Sequence, residues 1–293
     1  MKKVLWVADV PDWAYDINAR NLAKHLPQYQ HKTIYTIQVG RRYVDDIIRD
    51  YDIIIAMNPL SFYMYADEYF PKVITTLNSH RALVRADQKI LSEVTALICM
   101  NKQLYDMAGY RNENVFMTPE GLDLEKFKPI DIRPKRKFTV GWAATQSGGE
   151  GMYKGWPFLK VAIEILGNEI ELLSALQAGI QIPPDRMPDD FYHKIDCLVL
   201  LSENEGCSSV IMESLSCGIP VICTKVGYHG ETLTDGMECY FVERDSHAVE
   251  IAILRMMKSS FYPQMTLAAR DFAVKNHDIK AVAAIFAQAI EGV

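Results

Sequence analysis

Apolar runs of strand length alternate with amphipathic stretches of helix length along this chain, and the alternation restarts once midway. In the first half the strand candidates are residues 4–8, 33–37, 53–57, 73–77, 96–99 and 115–117. Between them lie INARNLAKHL, RRYVDDIIRD, PLSFYMYADEYF and NKQLYDMAGY, with apolar residues three and four apart as helices require. In the second half the candidates are residues 138–141, 170–173, 197–201, 221–224 and 239–242. The helical stretches there are KGWPFLKVAIEIL, PDDFYHKI, SSVIMESLSC, SHAVEIAILRMMKSS and IKAVAAIFAQAIEG. Such alternation, with strands apolar on both faces, predicts an α/β fold with parallel sheets covered by helices.

The 293 residues suffice for two domains. The expected division is residues 1–125 for the first domain and 137–275 for the second. Residues 126–136, rich in proline and charge, are read as a linker. Residues 276–293 are read as a terminal helix that packs back on the first domain. Two facing α/β domains leave a central cleft at the carboxyl ends of both sheets, where open sheets of this class bind ligands.

The bulk composition excludes several classes. A net charge of −6 disfavours nucleic acid as the main partner. The longest apolar runs fall far short of the about 20 residues needed to span a bilayer. Asp9 and Asp12 interrupt the amino-terminal apolar stretch too early for a signal peptide, so a cytoplasmic location is expected. The basic residues Arg133, Lys135, Arg136 and Lys137 read as a solvated face, with weak contact to an anionic membrane surface as the minority reading. Cys99, Cys197, Cys207, Cys217, Cys223 and Cys239 form no metal-ligand spacing and read as buried small hydrophobes, so neither a metal site nor a cofactor is expected. Asp50-Tyr51-Asp52 sits at a helix-to-strand junction and is not read as a ligand.

The chemistry concentrates in residues 200–231, LLSENEGCSSVIMESLSCGIPVICTKVGYHGE. A strand ends near Leu201 and a polar loop follows. Ser208 and Ser209 are natural caps for a helix to about Cys217, where Gly218 and Pro220 end it. Amides near Gly206, Cys207, Ser208 and Ser209 can receive a phosphate with the helix dipole behind them. Glu205 and Glu213 lie eight residues apart, about two helical turns, and a carboxylate can accept two hydrogen bonds from a vicinal diol. One carboxylate for each ring, with phosphates between, makes a clamp for a nucleotide sugar.

EGCSSVIMESLSCGIPV resembles the Glu-x7-Glu motif of retaining GT-B glycosyltransferases of family 4, typically EGxxxxxxEAxAxGxPV. The resemblance covers nearly all of the second half. In the first half it is mostly topological. It implies two Rossmann-like domains facing a central cleft and transfer of a sugar, with retention, from a nucleoside-diphosphate sugar to a glycan, lipid, protein or small-molecule acceptor. It gives Glu205 the donor sugar's hydroxyls and Glu213 the ribose. Gly206, Cys207, Ser208, Ser209 and Gly141 become donor-binding.

TVGWAATQSGGEGMYKGW resembles the family's first strand and loop of the second domain. There Lys154, before Gly155, would balance the diphosphate, and Trp142 occupies the place of the family's arginine. The Ser147-Gly148-Gly149 loop is a further source of amides. NVFMTPEGLDLEKFKP resembles the family's interdomain signature, with Glu120 in place of asparagine. VITTLNSHRALV resembles the segment of the cleft histidine, which makes His80 the candidate facing the donor sugar. Asp12, Trp13 and Asp16 are the acceptor-side candidates. A catalytically silent nucleotide- or glycan-binding module and a nucleotide-sugar epimerase are the alternative readings.

Overall fold

The computed structural model describes residues 1–38, 46–58, 67–80, 83, 88–130, 137–177 and 180–292. Residues 41–45 of RRYVDDIIRD, 59–66 of PLSFYMYADEYF and 131–136 of the expected linker lie outside this set. So do the basic residues Arg133, Lys135 and Arg136. The chain divides into two compact units. One comprises Met1–Gly121, Glu205–Cys207 and His277–Val293; the other comprises Leu122–Asn204 and Ser208–Asn276.

The first unit is built on a parallel sheet. Its strands are β1 (Lys3–Ala8), β2 (Gln30–Tyr35), β3 (Ile53–Ala56), β4 (Val73–Leu77), β5 (Ala96–Cys99) and β6 (Val115–Met117), in the order β2-β1-β3-β4-β5-β6. Side chains alternate across the sheet, so each strand feeds two cores. Leu5, Val7, Ile54, Ala56, Val73 and Leu97 pack on one face. Val4, Trp6, Ile53, Ile55, Ile74 and Ile98 pack on the other, against helix α1 (Ala14–Lys24). Strand β2 begins earlier than expected, because an edge strand with one wet face tolerates Gln30, His31 and Lys32. Helices α2 (Gln88–Glu93) and α3 (Lys102–Gly109) flank β5. Asp67–Lys72 is a 3-10 turn around Pro71, not the helix that its spacing suggested.

The second unit holds β7 (Thr139–Trp142), β8 (Glu171–Ser174), β11 (Cys197–Leu200), β12 (Val221–Cys223) and β13 (Cys239–Phe241), in the order β13-β12-β11-β7-β8. All neighbours pair in parallel. A small antiparallel hairpin joins β9 (Leu176–Gln177) and β10 (Ile180–Gln181). The helices are α4 (Gly148–Lys154), α5 (Trp156–Leu166), α6 (Met187–Asp190), α7 (Ser209–Ser216), α8 (Gly227–Thr232), α9 (Ser246–Met257) and α10 (Tyr262–Asn276). PDDFYHKI, read as one helix, divides into α6 and a 3-10 turn at Tyr192–Lys194.

Residues 126–130 are the described part of the expected linker, and Phe127 ties them to the second unit. Phe127 is buried, and its carbonyl accepts bonds from Ser216 Oγ (2.5 Å) and Arg270 Nη1 (2.8 Å). The last helix, α11 (Ile279–Glu291), belongs to the first unit, where Ile279, Val282, Phe286 and Ala289 complete the core around Trp6. Tyr29 donates to Glu291 at 2.6 Å and anchors its end.

Candidate functional site

Strand β11 occupies the middle of the second sheet, so the loop after it leaves from the sheet's carboxyl edge, the ligand-binding edge of this fold class. The helix that follows, α7, starts at Ser209 with Ser208 in the extended N-cap position. The Ser208 hydroxyl makes no capping bond, in contrast to the expectation, so no side-chain cap takes the first amides of the helix. Gly218 has the left-handed backbone (φ 69°) that closes the far end, with its N–H on the Leu215 carbonyl at 2.9 Å.

Glu213 lies half-buried on α7, and its Oε2 accepts the Tyr192 hydroxyl at 2.7 Å. A bond this short to a carboxylate fixes the acid's rotamer. Tyr192 is itself fully buried, with its ring edge-on to Phe127 and Phe191. The sequence offered no signal for this partner, because Tyr192 lies 21 residues upstream in a turn with helix-like spacing.

Lys154 ends α4, and Gly155 turns the chain into α5 with φ 85°. A side chain at Gly155 would lie 2.6 Å from the Leu201 carbonyl, so the close approach requires glycine. This approach ties Lys154 to the loop after β11. Its carbonyl accepts Leu201 N–H at 3.0 Å, and the Tyr153 carbonyl accepts Glu203 N–H at 3.0 Å. Tyr153 Oη donates to the Asn204 carbonyl at 2.7 Å. Ser147-Gly148-Gly149, expected as a loop, opens a short helix. Gly141 lies inside β7, where a side chain would meet Ile195 Cδ1 at 2.4 Å and Phe191 Cζ at 3.0 Å, so packing there requires glycine. Trp142, the next residue, is fully buried against Trp156, with ring centroids 5.3 Å apart.

In the first unit, residues 205–207 rest on the carboxyl ends of β4 and β5. A side chain on Gly206 would lie 2.0 Å from the Asn78 carbonyl. Asn101 donates Nδ2–H to the Gly206 carbonyl at 3.0 Å, while its Oδ1 caps α3 through Leu104 N–H at 2.8 Å. One buried amide thus locks both elements, a contact spanning 105 residues that no local pattern reveals. Glu205 is half-buried. Tyr15, in the same cluster, is pushed up to about 12 by burial, by the Asp9 carboxylate and, more weakly, by Glu120 and Glu205. The Cys207 thiol is pushed well above its ordinary value by burial, then by Glu120 and Glu205. It therefore stays protonated and is no nucleophile. His80 lies half-buried two residues beyond Asn78, at the start of the helical turn after β4.

The acceptor-side candidates separate. Trp13 is exposed at the N-cap of α1. Asp12 is exposed and takes a left-handed backbone (φ 61°). Asp16 is 1% exposed. It accepts Asp12 N–H (2.8 Å), Arg20 Nη2 (2.9 Å) and Tyr35 Oη (3.1 Å), and so holds the loop that carries Asp12 and Trp13.

Residues 157–259 match the family model for glycosyl transferases group 1. The matched span falls in the second unit except for residues 205–207. The enzyme's class of reaction is glycosyl transfer, and the matched span includes Glu205 and Glu213. No curated protein matches the chain in sequence.

Solved structures match over the whole length. Alr3699/HepE of Anabaena, solved in complex with UDP-glucose, shares 16% identity at a TM-score of 0.75, with 100% of both chains covered. Sucrose-phosphate synthase of Thermosynechococcus elongatus shares 13% at 0.75 over 98% of each chain. A glycosyltransferase of Rickettsia africae shares 12% at 0.72, covering 99% of this chain and 98% of its own. At these identities the likeness is one of fold, the two Rossmann-like units of GT-B enzymes. Among the described residues no helix of the glycosyltransferase is long and apolar enough to cross a membrane, and no cluster of potential metal ligands occurs.

Proposed function

We propose that the glycosyltransferase moves a sugar from a nucleoside-diphosphate sugar to an acceptor hydroxyl, with retention of configuration and without a metal. The observation that carries the donor reading is Glu213, held by Tyr192 on the helix whose uncapped start follows Gly206. Glu213 would take the ribose diol and Glu205 the hydroxyls of the sugar. The first amides of α7 and Lys154 would meet the diphosphate, whose negative charge grows as the anomeric C–O bond breaks. The bond electrons leave with the nucleoside diphosphate, and the acceptor hydroxyl passes its proton to the departing diphosphate as its oxygen forms the new bond at the same carbon. His80 would face the donor sugar, and Trp13 and Asp12 the acceptor. The UDP and UDP-glucose complexes of Alr3699/HepE support UDP as the first nucleotide to test.

The test is a thermal-shift panel of UDP, GDP, ADP and their sugars, followed by transfer assays with the donor that binds. A ligand at 100 times its Kd should stabilise the protein by about 2.7 kcal/mol, and the anomeric proton of the product should show the donor's configuration. No shift with any member would end the donor reading. The burial of Trp142, where the family carries a cation, favours one second reading: a silent binder. It would show the shift but neither transfer nor donor hydrolysis.

A further inference from the structure

Arg244 lies just beyond β13, far in sequence from the loops around Lys154 and Glu205, and it joins both. Its Nη1 pairs with Glu203 Oε1 at 2.5 Å, and its Nη2 donates to the Met152 carbonyl. The guanidinium carbon stands 5.2 Å from the centroid of the Phe158 ring. Met152 is two residues before Lys154, and Glu203 is two residues before Glu205. The same two segments are joined along the backbone by Leu201 N–H to Lys154 O and by Glu203 N–H to Tyr153 O, both at 3.0 Å. Asp245, the next residue, caps α9 through His247 and Ala248 N–H at 3.0 and 2.9 Å, so the base of the arginine is fixed as well.

We infer that Arg244, with Glu203, is a latch that presets the Lys154 turn and the loop leading into the Glu-x7-Glu segment for a diphosphate. Arg244 is a positioning residue, and this role rests on the donor reading above. The Glu203 side chain is 48% exposed, and ion pairs so exposed contribute little to folding. What the pair supplies is geometry: the flat guanidinium forks between a carboxylate and a carbonyl while lying over an aromatic ring. A lysine at this place keeps the charge and loses the fork. Displacing a binding group by about 1 Å costs up to about 100-fold where alignment matters.

The experiment compares wild type, Arg244→Gln, Arg244→Lys, Glu203→Gln and the double variant Arg244→Gln/Glu203→Gln. Whichever of UDP, GDP and ADP binds wild type most tightly is titrated calorimetrically beside its own nucleoside, which lacks the diphosphate. Each single variant should lose about tenfold in diphosphate affinity and less than twofold for the nucleoside, with Tm within about 2 °C of wild type. The double variant should lose no more than a single one, because the two residues act as one unit. Equal losses for diphosphate and nucleoside, no loss, or losses that multiply in the double variant would each overturn the latch. If no nucleotide binds wild type, the donor reading fails. The latch is then judged by hydrogen exchange: the Glu203 amide should exchange about tenfold faster in Arg244→Gln while β12 amides hold, and unchanged exchange overturns it.

Discussion

Both units pass through left-handed backbone just before their first long helix, and they do so with different chemistry. In the first unit the residue is Asp12 (φ 61°), ahead of α1; in the second it is Gly155 (φ 85°), ahead of α5. Asp12 points into solvent, and buried Asp16 binds its N–H while both acids share Arg20. Gly155 has no such partners and no room for them, because Leu201 stands against it. The first turn is held by side chains and tolerates a change in backbone type. The second is held by close backbone contact and does not. The difference suits the two assignments: side chains offered outward where an acceptor is proposed, and main chain brought close where a diphosphate is.

Replacing the glycine is the strongest test of this contrast. Gly155→Ala adds the left-handed penalty to an overlap with a main-chain oxygen, so denaturant unfolding should show a loss of about 3 kcal/mol. A loss under about 1 kcal/mol would mean the turn is softer than described.

Reliance on buried polar groups should also make the first unit sensitive to acid. His277 is fully buried with Nδ1 against the Glu120 carbonyl at 2.8 Å, and burial pushes its pKa down to about 4 from 6.5. A depressed histidine favours the neutral form in the fold. Its contribution is therefore complete above pH 6.5 and is lost as pH falls towards 4, because the unfolded chain binds the proton first. The loss over that window is at most about 3 kcal/mol. His277→Gln should flatten that limb of the stability profile; an unchanged slope would assign the acid sensitivity elsewhere.

Smaller effects sharpen the first side of the comparison. Asp16→Ala strips three hydrogen bonds from the loop and should cost about 2 kcal/mol in urea unfolding, with Tyr35 and Asp12 N–H left to find water. Asp12→Gly relieves the left-handed strain while giving up an exposed ion pair, and the two should cancel to within about 0.5 kcal/mol. If Asp12→Gly proves as damaging as Gly155→Ala, the two turns are not held differently.

Much of this was legible in the residues. The unbroken apolar runs in KVLWVA and IIIA announced strands covered on both faces, and ESLSCGIPV announced the end of a helix. Helix α10 was not legible: Leu267 and Val274 face outwards, and Pro263 near its start reads as a break. The burial of Asp16 was not legible, because an acid on a helix normally faces water and the partners that allow it, Arg20 and Tyr35, reveal nothing until the turn is folded. Tyr192, Asn101 and Arg244 shape the candidate site through contacts 21, 105 and 41 or more residues distant, beyond the reach of any motif.

The account depends on Glu213 as the anchor of a nucleotide. Isothermal titration of Glu213→Ala with the nucleoside diphosphate that binds wild type most tightly tests this directly. The account predicts at least about a 30-fold loss of affinity, in keeping with a charged hydrogen-bonding group removed from a half-buried site, with the fold intact by circular dichroism. Wild-type affinity in that variant would contradict it.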